Sequence, residues 1–373
     1  MRLTQLKLEN FKNYDSLNIK LGEHLTCIVG LNGSGKTNLL DAIHYLVFTK
    51  SGFATGDPMN IKKSRPYFLI KGQFEEGNQS SEITCYLERG QKKVFKKNKV
   101  TYEKLSDHIG QLLCVMSTPY DTEIIRGASD IRRKWIDGCI SQFHPAYLKE
   151  LISYQRYLKQ RNALLKQLDG KMTAKAESLL DTYDDQIIPL AISVSTMRRD
   201  FLAAFVPYFK SNLRIFVKDH ESCTISLKSK VLEPDFQQKF KVNRAKDVLL
   251  QRTSLGSHKD DFSFLLGDEP IKQFGSQGQQ KSFLISLKLA QYDHLVASTG
   301  RHPILLLDDV FDKLDEERIS QLLKLLTQDF EQNDQIVLKG QVLITDARTD
   351  RTRELTKNIP NTQLLEIEHG NLV

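Results

Sequence analysis

The sequence predicts a two-domain α/β protein, in which both ends of the chain form one domain and a largely helical domain is inserted between them. Three observations predict this: an apolar strand, loop and helix near the start, a long helical stretch in the middle, and alternating helix and apolar strand near the end. The expected boundaries are residues 1–118 and 250–373 for the first domain and residues 119–249 for the insertion. A chain of 373 residues can give each domain its own core.

The composition favours a folded protein inside the cell. Hydrophobic residues make up 40% and charged residues 27%, which is globular composition. The five cysteines are scattered, without a CxxC pair or a His cluster at metal spacing, so neither a disulfide framework nor a zinc site is expected. The apolar runs are too short to cross a bilayer, and MRLTQLKLENF alternates as a strand does, so we expect a cytoplasmic location and no membrane partner. The net charge of +7 is compatible with a nucleic-acid partner but does not demonstrate one.

The first hundred residues read mainly as strands around one helix. Leu3, Leu6 and Leu8 begin a half-buried strand, and HLTCIVG is a short apolar strand that ends in glycine. NLLDAIHYLVF follows with its apolar residues on one helical face. The runs YFLIKGQF, SEITCYLERG and KKVFKKNKV then predict a meander with a Gly-Asn turn signal.

The middle of the chain reads as a helical hairpin. From Tyr147 to Leu168 the side chains at 4-3 spacing are mostly apolar, and a second helical stretch covers about residues 179–208, with Pro189 expected to kink it. Because the pattern stops after a few heptads, we expect a packed lobe rather than a long coiled coil. After it, RIFVK and CTISLK read as short strands.

GLNGSGKT, which spans Gly30–Thr37, fits the phosphate-binding pattern G-x-x-x-x-G-K-[ST] and lies between a strand and a helix. In such a loop the glycines turn backbone N–H groups toward phosphates, the lysine reaches the β and γ phosphates, and the hydroxyl binds Mg²⁺. We therefore expect ATP and Mg²⁺ as cofactors, with Lys36 catalytic and Thr37 on the metal. The expected nucleotide contacts are Gly30, Leu31, Asn32, Gly33, Ser34, Gly35, Lys36, Thr37 and Asn38.

ILLLDDV predicts the second half of this site, because a buried parallel strand that ends in a carboxylate beside such a loop supplies a further Mg²⁺ contact. We expect Asp308 to hold the metal through water and Asp309 to orient or deprotonate the attacking water. Without the phosphate-binding loop, a strand that ends at a solvated turn would explain the two aspartates better.

FGSQGQQKSFLISLKLA places Ser276 and Gly278 directly before a helix, which can be an ordinary N-cap or an anion site. The stretch lies about thirty residues before LLLDD, where ABC-type ATPases carry their signature motif, and FDKLDEER resembles their D-loop. The fold class expected for the first domain is therefore a P-loop ABC-type ATPase head.

The chain resembles the RecF family of bacterial recombination and repair ATPases, whose heads are related to SMC proteins. The matching stretches are LENFKNYDSLNIKLGEHLTCIVGLNGSGKTNLLDAIHYL, GASDIRRKWIDG, RTSLGSHKDDF, FGSQGQQKSFLISLKLAQ and PILLLDDVFDKLDEERI. Ser257 and Lys259 depart from the family's usual proline and arginine.

This resemblance implies that the signature residues Ser276, Gln277, Gly278 and Gln279 contact the γ-phosphate that is bound to Lys36 of a second copy. ATP would then hold an ATP-dependent homodimer together, and hydrolysis would release it. The resemblance also implies binding to single-stranded or gapped DNA, cooperation with the RecO and RecR mediator proteins in loading recombinase, and roles in replication restart and the SOS response.

Two departures from the general ABC pattern predict slow hydrolysis. Asp309 stands where a glutamate is usual, and Asp346 follows the next strand where a switch histidine is usual. The Q-loop equivalent is expected near residues 118–122. The enzyme is therefore expected to be a weak, DNA-stimulated ATPase that acts mainly as a switch.

Basic residues suggest where DNA could bind. The run KKVFKKNKV lies on a predicted hairpin, where alternate lysines could line one face and bind phosphates without reading bases. A solvated face explains such a run equally well. The expected DNA contacts are Lys92, Lys93, Lys96, Lys97 and Lys99.

Three other functions fit parts of the pattern. A nucleotide-binding subunit of an ABC transporter shares both ATP motifs, but here about 240 residues and a helical insertion separate them. An ATP-gated nuclease would need metal-binding motifs such as H-x-x-E-H, which the sequence lacks. A clamp that binds ATP without cleaving it differs from the favoured function only in rate.

Overall fold

The computed structural model describes residues 1–53, 56–216, 223–313, 316–327 and 340–373. Its strands, in chain order, are β1 (Arg2–Phe11), β2 (Tyr14–Lys20), β3 (Leu25–Val29), β4 (Tyr67–Glu76), β5 (Gln79–Glu88), β6 (Val94–Lys97), β7 (Val100–Thr101), β8 (Cys114–Ser117), β9 (Cys223–Lys228), β10 (Asp261–Leu266), β11 (Glu269–Pro270), β12 (Ile304–Leu307), β13 (Val342–Asp346), β14 (Gln363–Glu368) and β15 (Asn371–Leu372). Its helices are α1 (Lys36–Phe48), α2 (Thr122–Arg126), α3 (Ser129–Ser141), α4 (Pro145–Gln167), α5 (Ala174–Phe216), α6 (Phe236–Val242), α7 (Arg244–Leu250), α8 (Ile271–Phe274), α9 (Gln277–Thr299), α10 (Glu316–Thr327) and α11 (Thr349–Thr356).

The chain forms two compact units. The first holds Met1–Asp121, Lys281–Val373 and the last residues of α5, from Asn212 to Phe216. The second holds Thr122–Ser211 and the described residues 223–280. Residues 250–280, which the sequence assigned to the ATPase domain, thus lie in the second unit. The physical reason is strand pairing, because β10 pairs antiparallel with β9 over six residue pairs.

The first unit contains two sheets. One is antiparallel with strand order β2-β1-β4-β5-β6-β7, in which β4, β5 and β6 form the meander that the sequence predicts. The other has the order β15-β14-β3-β13-β12-β8, and its strands from β14 to β8 are parallel. This order places β3, β13 and β12 side by side, so that the segments after their carboxyl ends meet at one edge of the sheet.

Helix α1 occupies the core of the first unit. Leu40 and Leu46 belong to one buried cluster with Leu6 of the antiparallel sheet and Leu306 of the parallel sheet. Burial extends beyond one helical stripe and includes Asp41. Because α1 is covered on more than one side, it fixes the position of the loop that precedes it.

The helical hairpin of the second unit is present, with α4 and α5 running antiparallel. Tyr154 shares a buried cluster with Ile187, and Leu165, further along α4, packs with Leu180, earlier along α5. The prediction of a strand at RIFVK is wrong for its described part, because α5 continues to Phe216, which is buried together with Leu213 at helical spacing. CTISLK forms β9 as expected.

Arg161 lies at a seam position of α4 and is fully buried. Its guanidinium donates to Asp184 at 2.8 Å, to Asp247 at 2.8 Å and to Thr253 Oγ1 at 2.8 Å. One charge therefore joins α4, α5, α7 and the loop after α7. A buried cation is tolerated here because carboxylates surround it.

Replacing Arg161 by Met should destabilise the second unit by about 3–5 kcal/mol, because Asp184 and Asp247 would lose their shared counter-charge in the core. Urea unfolding followed by circular dichroism measures this loss. The matched control is Lys134→Met, which breaks an exposed ion pair with Asp130 at 2.9 Å and should leave the transition unchanged. Equal transitions for both variants would contradict the assignment of Arg161 to the core.

Candidate functional site

The loop between β3 and α1 needs its glycines. Gly30, Gly33 and Gly35 have φ values of 146°, 82° and 119°, in the region that glycine favours. A side chain at Gly30 would lie 2.2 Å from the backbone oxygen of Ile367, and one at Gly35 would lie 2.4 Å from the side-chain nitrogen of Asn13. The loop thus lies tightly against neighbouring backbone and side chains.

Lys36 begins α1 and is 5% exposed. Its ammonium group donates to the backbone oxygens of Gly30 at 2.7 Å and Leu31 at 3.1 Å, so the side chain folds back over the loop. An ammonium group and a helix N-terminus at the same loop form a site for an anion such as a phosphate. Leu31 stands at the exposed tip of the loop, with 76% of its surface accessible.

Thr37 and Asp308 come together at the edge of the parallel sheet. The Thr37 hydroxyl lies 2.9 Å from Oδ1 and 3.0 Å from Oδ2 of Asp308, which is 3% exposed. A hydroxyl and a carboxylate are oxygen ligands of the kind that Mg²⁺ binds beside a phosphate-binding loop. The donor set therefore fits the magnesium site that the sequence predicts.

Thr345 is a third member of this group, which the sequence reasoning missed. Its hydroxyl donates to Asp308 Oδ1 at 2.8 Å and accepts the backbone N–H of Asp309 at 2.9 Å. Strands β12 and β13 are parallel neighbours, which brings Thr345 beside both aspartates. Asp309 has a φ of 46°, an uncommon conformation for a residue other than glycine.

The turn between β1 and β2 braces the same loop. The Tyr14 hydroxyl donates to the backbone oxygen of Gly35 at 2.9 Å, and Asn13 Nδ2 donates to that of Ser34 at 3.1 Å. Asn38, an expected nucleotide contact, donates to Asn13 Oδ1 at 2.7 Å. Burial raises the pKa of Tyr14, so its hydroxyl remains a donor at neutral pH. Asn13 and Tyr14 lie in the LENFKNYD stretch that carries the family resemblance.

The expected Q-loop segment lies next to Asp308. The backbone N–H of Asp308 donates to the backbone oxygen of Ser117 at 2.8 Å. Further along, Asp121 accepts from Lys288 Nζ at 3.0 Å, and the same ammonium donates to the backbone oxygen of Met116 at 2.8 Å. Lys288 belongs to α9, so this helix is tied to the segment beside the metal-site carboxylate.

Asp346, at the position of the usual switch histidine, is held by its own neighbours. It accepts from Arg351 at 2.6 Å and from the Thr352 hydroxyl at 2.7 Å. Burial acts to raise the pKa of Asp346, but the hydrogen bonds from Arg351 and Thr352 outweigh it and lower the pKa overall. The side chain is therefore a carboxylate at neutral pH.

The proposed signature forms a capping box at the start of α9. Ser276 Oγ accepts the backbone N–H of Gln279 at 3.2 Å, and Gln279 Oε1 accepts the backbone N–H of Ser276 at 2.7 Å. Gln280 donates to the backbone oxygen of Gly275 at 2.9 Å and accepts from Arg126 at 3.0 Å. The Ser276 hydroxyl can still donate its proton outward, and the contact of this segment with a partner's phosphate stays a prediction.

GASDIRRKWIDG and RTSLGSHKDDF, two of the stretches that resemble the RecF family, contact each other in the second unit. Arg132 of α3 donates to Asp261 at 2.9 Å, and Arg133 donates to the backbone oxygen of Asp260 at 2.6 Å. The Asp260 carboxylate accepts from Arg198 at 2.9 Å. Ser257, one of the two departures, is buried, and its backbone oxygen also binds Arg198 at 2.7 Å. This loop therefore has a structural role in the unit's core.

The predicted DNA run divides into buried and exposed lysines. Lys93 has a side chain that is only 9% exposed, and its ammonium group donates to Asp57 at 2.7 Å, to Tyr45 Oη at 3.2 Å and to the backbone oxygen of Thr49. It is therefore not available to a DNA phosphate. Lys92 and Lys99 are exposed, whereas Lys96 and Lys97 are half-buried on β6.

Other features of the sequence prediction lie partly outside the described residues. The expected D-loop FDKLDEER includes residues 314 and 315, which the structure does not describe. Among the residues it does describe, no cluster of three or more His, Cys, Asp or Glu side chains could hold a metal ion. Helices in the same part of the chain are all too short or too polar to span a membrane.

Comparison with known proteins identifies the family. Residues 2–114 match the family model described as RecF/RecN/SMC N terminal domain. The "DNA replication and repair protein RecF" of Cytophaga hutchinsonii is 44% identical over 353 residues, which cover 94% of this chain and 91% of that protein. The protein of the same description from Flavobacterium johnsoniae is 40% identical, covering 97% of this chain and 98% of the relative.

Solved structures agree with these sequence matches. The "recombination mediator protein RecF-ATP in RecFOR pathway" superposes with a TM-score of 0.88 at 25% identity, covering 100% of this chain and 96% of that chain. A structure described as "recombination mediator protein RecF-ATPrS in RecFOR pathway" gives a TM-score of 0.86, also at 25% identity, over 100% of this chain and 97% of the other. An SMC head domain from Pyrococcus yayanosii gives 0.55 at 12% identity, over 100% of this chain and 96% of that one, which shows the shared fold alone. The expected ABC-type ATPase head is confirmed.

Replacing Gly30 by Ala should lower the thermal stability of the first unit and abolish binding of a fluorescent ATP analogue, because the new Cβ collides with the backbone at Ile367. Gly33→Ala is the matched control, since a side chain there meets no atom within 4 Å and only the positive φ opposes it. The control should keep measurable binding. Equal loss of binding in the two variants would show that the positive φ of these glycines, rather than the close approach at Gly30, is what ATP binding requires of the loop.

Proposed function

The chain belongs to the RecF family, and from that premise we propose that it is an ATP-dependent DNA-binding protein of recombinational repair and replication restart. In this proposal two copies dimerise around ATP on single-stranded or gapped DNA, and slow hydrolysis releases them. The observation that carries the proposal is the hydrogen bond of 2.9 Å between Thr37 and Asp308. It joins the phosphate-binding loop to a strand-end carboxylate 271 residues away.

Each residue of the loop has a role in holding ATP. The glycine backbone and the start of α1 would receive the phosphates, and Lys36 would exchange its bonds to the loop carbonyls for bonds to phosphate oxygens. Thr37 and Asp308 would hold Mg²⁺, which supplies neutralisation of phosphate charge when bound. Thr345 would fix the orientation of Asp308 through their hydrogen bond of 2.8 Å.

Slow hydrolysis follows from the groups that face the γ-phosphate. Asp309 is the proposed base, and its side chain is one methylene shorter than the usual glutamate, so it would hold the attacking water less well. Asp346 accepts hydrogen bonds from Arg351 and Thr352 and has no proton to donate at neutral pH. Turnover near the upper end of the usual enzyme range without DNA would contradict this account.

Completion of the site needs a second copy. We propose that Ser276, Gln277, Gly278 and Gln279 approach the γ-phosphate bound to the partner's Lys36. The capping box supports this, because Ser276 is held at the N-terminus of a helix of 23 residues with its hydroxyl proton available. Gln279 would act mainly by holding Ser276. ATP stabilises such a dimer only to the extent that it binds the closed state more tightly.

The family's relatives support the repair function over the transporter and nuclease alternatives. We propose a cytoplasmic location and cooperation with RecO and RecR mediators in loading recombinase and inducing the SOS response. A solved relative is named as a recombination mediator in the RecFOR pathway, which supports this part of the proposal.

Sedimentation velocity with ATP, with ADP and without nucleotide tests the ATP-dependent dimer. We expect the wild-type protein to dimerise with ATP alone. Ser276→Arg should abolish the dimer, because a bulky cation replaces the hydroxyl at the helix start, while the monomer still binds nucleotide. Ser298→Arg, far along the same helix, is the control for an added charge and should still dimerise. A dimer of Ser276→Arg as stable as the wild type would refute the contact in trans.

The Lys92–Lys99 run gives a second test of the proposal. Lys92→Gln, Lys96→Gln and Lys99→Gln together should lower DNA affinity and reduce the salt dependence by about 0.7 per lost contact on single strands. Lys93→Met should instead lower thermal stability, because Asp57 loses its ion-pair partner, with little change in the salt dependence. Unchanged DNA affinity and salt dependence in the triple variant would remove this run from the DNA surface.

A further inference from the structure

The outer face of α4 carries four cations and no acidic side chain. One series of its exposed residues recurs at spacings of three and four: Lys149, Ile152, Arg156, Lys159, Ala163 and Lys166. We call this series the α4 stripe. At 100° per residue it covers one side of the helix, about 150° from the buried seam that includes Tyr154 and Arg161.

The α4 stripe is long and straight enough to follow a nucleic-acid backbone. Lys149 and Lys166 are 17 residues apart in one uninterrupted helix, which corresponds to about 25 Å at 1.5 Å per residue. Each strand of duplex DNA places a phosphate about every 3.4 Å along its axis, so the stripe runs beside about seven phosphates.

The four cations of the α4 stripe form no ion pair with any residue that the structure describes. Arg156 lies against the ring of Tyr157 at 4.7 Å. The one acidic residue of α4, Glu150, is half-buried and points to another side of the helix. A solvated surface helix would ordinarily mix both signs of charge.

The first turns of the neighbouring helix, α5, carry a series of exposed acidic residues. Along the first turns of α5 the exposed residues at i, i+4 and i+8 are Glu177, Asp181 and Asp185. Only Asp181 of these pairs with a described cation, Arg244, at 2.5 Å. Exposed cations also occur on α5, at Lys175, Arg199, Lys210 and Arg214, so the α4 stripe is distinguished by the single sign of its charges.

We propose that the α4 stripe binds the sugar-phosphate backbone of DNA without reading its sequence. This inference rests on the proposed function, and it adds a surface in the second unit to the lysines of the first. Lysine and arginine side chains at exposed helix positions can contact phosphates, and phosphate contacts fix position without carrying sequence information. A membrane is the less suitable partner, because the apolar side of α4 is used in the core and Ile152 is the one large apolar side chain of the stripe.

The test compares two variants of equal charge. In the stripe variant Lys149, Arg156, Lys159 and Lys166 are changed to Gln; in the control, Lys210, Lys230, Lys241 and Lys246, which are exposed elsewhere in the second unit, are changed to Gln. Lys and Gln have similar helix propensities, so folding should be preserved in both. Binding to single-stranded and gapped DNA is measured by fluorescence anisotropy with ATP, over a series of salt concentrations.

Loss of four phosphate contacts should reduce the logarithmic salt slope on single strands by about 2.8. Between 50 and 200 mM salt, the affinity of the wild-type protein should then fall about 50-fold more than that of the stripe variant. The control should keep the wild-type slope, and replacing the three stripe lysines by Arg should do the same, because charge is retained.

Equal slopes for the stripe variant and the control would overturn the inference while leaving the proposed function intact. A wild-type protein that binds no DNA would overturn both. Binding to phosphatidylserine vesicles that is lost in the stripe variant alone, with DNA binding unchanged, would assign the surface to anionic lipid and would likewise overturn the inference.

Discussion

The whole candidate site depends on the hydrogen bonds that hold Asp308 between Thr37 and Thr345. Thr37 lies beyond the end of β3, Asp308 directly follows β12, and Thr345 lies near the end of β13. These strands are neighbours in the parallel sheet, so one carboxylate is fixed from two sides at 2.9 and 2.8 Å. Because the carboxyl ends of parallel strands lie at one edge of the sheet, a different strand order would separate Thr37, Asp308 and Thr345. The sheet is thus the scaffold for chemistry, and α1, packed in the core on more than one side, keeps the phosphate-binding loop in place above it.

Around this centre, the loop is held by residues that lie outside the phosphate-binding pattern itself. Tyr14 and Asn13 bind the carbonyls of Gly35 and Ser34, and the backbone at Ile367 fills the space that a side chain at Gly30 would need. The Lys288 ammonium group similarly binds Asp121 and Met116 beside the strand that leads to Asp308. Since α9 begins with the capping box at Ser276, the helix that carries the proposed signature is also the helix that contacts the segment next to Asp308.

The second unit contains charged residues in its core. Arg161 and Arg198 are both buried, and each is surrounded by aspartates brought from distant parts of the chain. With these cations neutralised inside, the outer face of α4 keeps its lysines for solvent or for a polyanion. The unit therefore has its cations in two roles, one that specifies the packing of the hairpin and one that sets the charge of its surface.

The sequence by itself determined the family, the phosphate-binding loop, the strand that ends at Asp308 and the two helices of the hairpin, because each is a local pattern of spacing or residue type. The tertiary structure alone decided what depends on strand pairing and on residues far apart in the chain. Strand β10 pairs with β9, which places residues 250–280 in the second unit. Helix α5 extends through a segment for which the sequence predicted a strand. The tertiary structure also brought Thr345 to Asp308 and buried Lys93 against Asp57. These partners are 37 and 36 residues apart, and contacts at such separations leave no local pattern in the sequence.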